Sequence, residues 1–220
     1  MSTTNQSDVV SAKPHSRWRI ALISIAVVIC VGAFAWWKVW PKYPYGVSHS
    51  CSKALGLELR LYANDHDGWY PYGMKTPEAS LSLLCTNNSS VQGILRGKHL
   101  PQEVVDRALA NNGLLGPASC GWHYIEGLRE EDDPQLAVLW DRIIGLDHNG
   151  RLKSGLQHEV ITVDGSMQYI SKQNWPAFVQ QQKRLLAETA ANRTTNSPPI
   201  RWSDEETLGP NTTKPGILKR

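Results

Sequence analysis

The sequence predicts an α+β fold: an N-terminal transmembrane helix, then a domain with an α-helical spine and a small antiparallel β-sheet. Three observations carry that expectation. The run IALISIAVVICVGAFAWW, Ile20 to Trp37, contains no Asp, Glu, Lys or Arg. From Ser50 to Ala63 the apolar residues recur at helical spacing, and beyond Gly121 the period shortens towards two.

At the helical rise the apolar run measures about 27 Å, near the thickness of a bilayer's hydrocarbon core. Trp18 on one side and Trp36, Trp37 and Trp40 on the other are placed as an aromatic belt. Ala33-Phe34-Ala35 also fits a signal-peptidase site, so an uncleaved anchor and a removed leader are both open; the length of the run favours the anchor. Lys13, Arg17 and Arg19 precede it and Lys38, Lys42 and Lys53 follow, a tie in flanking charge. The short leading tail favours a single-pass protein of the cytoplasmic (inner) membrane with its C-terminal domain outside. The expected division is a disordered cytoplasmic tail 1–17, an anchor 18–40, a proline-containing linker 41–49, an α+β domain 50–189 and a disordered tail 190–220 rich in Asn, Thr and Pro. A formal charge of only +3 with no basic stripe gives no electrostatic case for nucleic acid.

In the expected spine, Cys51, Leu55, Leu59 and Tyr62 share one side, Leu57 and Leu61 lie beside them, and Lys53, Gly56 and Arg60 lie opposite. YANDHDGWYPYG, Tyr62 to Gly73, reads as the stop: Asn64, Asp65 and Asp67 form turns and Gly68 accepts positive φ. A calcium loop of EF type aligned on Gly68 would place Ala63 first and Met74 twelfth, so that motif is absent. Shorter helices are expected around Pro77 to Cys85 and from Pro101 to Asn112, the latter closed by Gly113. GWHYIEGL and QLAVLW read as strands, and HEVITVDGSMQYI as two strands joined by a type I′ turn at Asp164-Gly165. A last amphipathic helix runs from Asn174 to about Thr189 on Trp175, Phe178, Val179, Leu185 and Leu186.

The candidate chemical groups are His66, His123, His148 and His158 with Asp147 and Asp164. HExxH, GxSxG and P-loop motifs are absent. His148, His158 and Asp164 flank one hairpin, and their convergence on zinc or manganese would make a metal-dependent hydrolase; otherwise Asp164 belongs to a turn and His158 is an ordinary strand residue. His66 with Asp65 and Asp67 is a weaker metal candidate, because neighbours in one turn rarely converge. In REEDDP, Asp132 and Asp133 are candidate calcium ligands, against a plain solvated loop. Cys30 lies in the apolar run, leaving Cys51, Cys85 and Cys120 for at most one bridge. Cys85 with Cys120 is the preferred pair, and three buried thiols are the alternative.

CSKALGLELRLYANDHDGWYPYG, Cys51 to Gly73, resembles the segment after the membrane helix in bacterial type II secretion pseudopilins and related prepilin-type proteins, where a helix ends in a Tyr, an Asp-x-Gly turn and an aromatic-Pro. ASLSLL, Ala79 to Leu84, is similar to the short helix that comes next there. GWHYIEGL and HEVITVDGSMQYI are similar to that group's Tyr-containing strand and final His-to-Asp-Gly hairpin. The resemblance covers roughly 51–85 and 120–170. It implies a sheet packed on the extension of a membrane helix, a structural role without catalysis in an envelope fibre or secretion machine, and other pilin-like or secretion-system subunits and the membrane as partners. It also implies that a calcium ion, held near the C-terminus in some relatives, would suit Asp132 and Asp133. The sequence departs from the family where Arg19 runs into Ile20 without the Gly of a prepilin peptidase site, where the apolar run lacks the family's Glu, and where Pro41 and Pro44 interrupt the long helix. Processing and fibre formation are therefore not implied.

Overall fold

The computed structural model describes residues 15–39, 51–86, 89–147 and 150–211. The chain divides into two units, Met1–Trp40 and Pro41–Arg220. Residues 1–14 of the expected tail and the linker 41–49 lie outside the described residues.

The first unit contains one helix, α1 (His15–Val39), whose described side chains are all exposed: Trp18 at 75%, Val28 at 70% and Trp36 at 67%. Among the described residues no helix is long and apolar enough to cross a membrane. That overturns the expected anchor at 18–40, and with it the single-pass inner-membrane placement and the extracytoplasmic domain.

The second unit is α+β. Its spine is α2 (Cys51–Asn64), followed by the short α3 (Pro77–Leu81) and α4 (Gln92–Leu95), then α5 (Gln102–Asn112). Thr76 accepts the Ala79 N–H at 3.2 Å to start α3 at Pro77. Gly113, at φ 66°, closes α5 in the left-handed conformation that suits glycine. A five-stranded antiparallel sheet follows: β1 (Trp122–Glu126), β2 (Ala137–Asp141), β3 (Gln157–Thr162), β4 (Met167–Ser171) and β5 (Arg201–Trp202), in the order β4-β3-β2-β1-β5. Pairings such as Tyr124 with Leu139, Leu139 with Ile161 and Ile161 with Met167 set the register. α6 (Trp175–Ala191) and α7 (Glu205–Leu208) complete the chain's described elements.

The spine buries a different stripe from the expected one. Leu55, Leu59 and Ala63 are buried as the period requires, but Gly56 joins them, while Leu57 and Leu61 are exposed at 59% and 52%. Gly56 is what lets α2 approach β3 closely, since a Cβ there would lie 3.1 Å from Ile161 Cγ2. The β3–β4 hairpin also differs in turn type. Gly165 is at φ 78° while Asp164 is not at positive φ, and Thr162 N–H donates to Ser166 O at 3.1 Å. This is a three-residue loop with a left-handed glycine, not the expected I′ turn, which needs positive φ twice.

The segment expected as a tail from 190 carries ordered structure to residue 211. β5 extends the sheet beside β1, and Ile200, Trp202 and Leu208 are buried. Trp202 is fixed by Nε1–H donating to Gly209 O at 2.7 Å and by its backbone pairing with Asn211. The preferred disulfide is not formed. Cys85 and Cys120 are free thiols, pushed up by burial to about 11 and about 12. The Cys51 side chain lies outside the described residues.

Candidate functional site

Two chain segments cross at the end of β2 with almost no space between them. A Cβ on Gly121 would lie 2.1 Å from Arg96 O, and one on Gly97, at φ 62°, 2.6 Å from Gly121 O. Gly121 N–H donates to Leu95 O at 2.8 Å. This crossing delivers Lys98 to the sheet, where a charged network is buried.

Lys98 Nζ lies 2.9 Å from Glu159 Oε2 and 3.4 Å from Asp141 Oδ2. The second oxygen of Asp141 is 3.0 Å from His158 Nδ1. Ser52 Oγ donates to Glu159 Oε2 at 2.6 Å, tying the first turn of α2 to β3. The Lys98 and Asp141 side chains are each 3% exposed. His158 stacks on Trp175 with centroids 3.8 Å apart, and Trp175 stacks in turn on Phe178. One cation faces two carboxylates in a buried cluster, with a serine hydroxyl on Glu159 Oε2 and an imidazole on Asp141 Oδ1. Ser52 Oγ also lies 3.5 Å from Met167 Sδ.

His123 lies on β1 opposite Trp140. Its Nε2 is 3.7 Å from Asp204 Oδ2, which also accepts the Trp140 Nε1–H at 3.1 Å. Burial pushes its pKa down to about 4, outweighing the upward pull of Asp204. The imidazole is therefore neutral near pH 7, so the Asp204 contact is a polar one and not an ion pair. Among the described residues the buried His123 Nδ1 has no hydrogen-bond partner. A further buried carboxylate, Glu126, is held by Ser80 and Arg201; burial raises its pKa against the lowering effect of those two partners.

The sequence-derived site residues that the structure describes do not come together. His148 lies outside the described residues. Asp164 accepts from Thr162 Oγ1 at 2.7 Å and from Ser166 N at 2.9 Å, bonds that lower its pKa. His158 stands near the other end of β3; the four strand steps from it to Thr162 at about 3.3 Å each put roughly 13 Å between His158 and the turn that holds Asp164. Asp147 accepts the Arg151 N–H at 2.9 Å in a tight loop. His66 stacks flat on Tyr62 at 3.7 Å in the turn that ends α2, where Asp67 at φ 53° and Gly68 at φ 80° reverse the chain. Asp132 accepts the Arg129 N–H at 2.8 Å and pairs with Arg193 at 2.6 Å, and Asp133 accepts the Gln135 N–H at 2.8 Å. These two aspartates line a cavity of about 270 Å³ with Glu131, Leu185, Glu188 and Arg193. Among the described residues no group of three or more His, Cys, Asp or Glu is placed to hold a metal ion.

No family model, curated protein or solved structure matches the chain.

Of the network, sequence reasoning found His158 and missed Ser52, Lys98, Asp141 and Glu159. The available signal was a carboxylate closing an apolar strand, as in AVLWD, and one embedded in HEVIT. Its cation comes from a turn between helices, and nothing local marks that partner.

Proposed function

We propose that the chain is a non-catalytic structural or interaction protein of pseudopilin-like type, acting in a type II secretion or pilus-like assembly of the bacterial cell envelope. One observation carries the reading: the polar groups that resemble a site are spent on joining the spine to the sheet. Ser52 ties α2 to Glu159. The Asp-Gly turn leads into Trp69, which bridges to Arg129, and into buried Tyr70, whose hydroxyl donates to Val163 O at 2.8 Å beside the final hairpin. Pro71 O accepts the Tyr124 hydroxyl at 2.7 Å. The segment of closest resemblance thus serves as the clamp between helix and sheet.

The hydrolase reading lacks this support, because Asp164 is engaged by its own turn and His158 by Asp141. Crosslinking in intact cells followed by mass spectrometry tests the proposal. Pilin-like or secretion-system neighbours are the expected products; their absence at saturating crosslinker would refute it. Hydrolytic turnover abolished by His158→Ala in a folded protein would replace it with the enzyme.

A further inference from the structure

β5 is an outermost strand of the sheet, and two residues form it. In an antiparallel pair the backbone groups of alternate residues point towards the partner strand and away from it. Ser203 N–H donates to Tyr124 O at 3.0 Å, and Ser203 Oγ accepts the Tyr124 N–H at 2.8 Å. Residue 203 therefore faces β1, and Trp202, in register with Ile125, turns its N–H and C=O to the outer edge. Arg201 fixes the strand in place through Glu126 and the carbonyls of Met74 and Lys75.

Among the described residues no further strand lies against that edge; a side chain does. Trp202 N–H donates to Asn211 Oδ1 at 2.8 Å, and Asn211 Nδ2 donates to Trp202 O at 3.1 Å. A primary amide offers the same acceptor and donor that the peptide groups of an adjoining strand would offer. Nδ2 also donates to Glu205 Oε1 at 2.6 Å. The chain returns to this point through α7 and Gly209, at φ 87°, whose carbonyl accepts the Trp202 Nε1–H at 2.7 Å.

We propose that Asn211 is an edge plug, whose amide keeps the outer edge of β5 closed against strand addition by a second copy of the chain. The excluded occupant follows from the edge itself. A residue whose N–H and C=O both face outwards can exchange two hydrogen bonds with the same residue of another molecule across a two-fold axis. Trp202 is thus self-complementary once uncovered, and an uncovered edge is a template for edge-to-edge pairing. One amide suffices, because so short a strand turns a single residue outwards. The inference goes beyond the assembly reading above and does not depend on it.

The test uses the full chain in a mild detergent that covers α1, with sedimentation velocity and hydrogen exchange at the Trp202 amide followed across a concentration series. In wild type that amide is expected to be protected equally at every concentration. Asn211→Asp keeps the shape, removes the Nδ2 donors and sets a second carboxylate beside Glu205; Asn211→Ala removes the amide altogether. Each variant is expected to exchange at Trp202 at least tenfold faster when dilute, to associate at least tenfold more tightly than wild type, and to regain protection at that amide as it associates. A purely stabilising role for Asn211 would lower the denaturant midpoint without changing association, so folded variants that stay as monomeric as wild type overturn the proposal. If both variants misfold, wild type decides: protection of the Trp202 amide supports the plug, and exchange as fast as in an unstructured peptide overturns it.

Discussion

Lys98 stands between two carboxylates at 3% exposure, and its removal leaves both uncompensated. Lys98→Ala is expected to cost about 3–5 kcal/mol, read as a lower denaturant midpoint. Lys98→Met combined with Asp141→Asn and Glu159→Gln should regain most of that loss, since the same volume is kept without stranded charge. A single Lys98→Ala change within 1 kcal/mol of wild type would show that the cluster is solvated. His123 gives the second residue-scale expectation. Its folded-state pKa of about 4 lies below the ordinary 6.5, so the unfolded chain takes up a proton first as pH falls. The neutral-imidazole contribution is complete above 6.5 and is lost between 6.5 and about 4, at ~1.4 kcal/mol per pH unit, or about 3 kcal/mol in all. Glu126, raised by burial, acts in the opposite sense over part of that range. The informative quantity is therefore wild type minus His123→Phe across pH, which should slope as stated; parallel curves would refute the shift.

Among the elements, those with a strong local pattern were legible. The helix after Pro101, the Asp-Gly hairpin and the amphipathic helix from Trp175 all follow from periodicity and turn chemistry, because the same residues that pattern them also face the core. β5 was not legible: two residues, Arg201 and Trp202, form it inside a polar stretch, and it exists only because β1 offers an unpaired edge. The stripe of α2 failed for a related reason, since glycine counts as neutral in periodicity yet here marks the closest helix–sheet approach. The site was the least legible, because its partners are separated by dozens of residues and converge through the glycine crossing at 97 and 121. β5 carries the expectation at this scale. Trp202→Ala should destabilise the domain by about 3–5 kcal/mol, as for other buried aromatic truncations. An effect under 1 kcal/mol would mean that residues 192–211 dock without contributing to the core.

At the scale of the whole molecule, the apolar helix and the α+β body form separate contact units. The body has its own core, from Leu55 and Leu59 through Trp122, Tyr124 and Leu139 to Trp202 and Leu208. It also has its own closing contacts at each end of the sheet, Ser52 to Glu159 at one and Arg193 to Asp132 at the other. Nothing in that inventory draws on residues 1–40, so the body should fold alone. A chain lacking residues 1–40 is expected to unfold in one cooperative denaturant transition, with a midpoint matching the full chain to within about 0.5 kcal/mol. An apolar helix exposed on every side instead governs solubility, because a helix hydrophobic all round requires some cover. The shortened chain should therefore remain dispersed at concentrations where the full chain aggregates. A shortened chain that fails to fold, or that loses several kcal/mol, would show that α1 completes the core and that the two units are one.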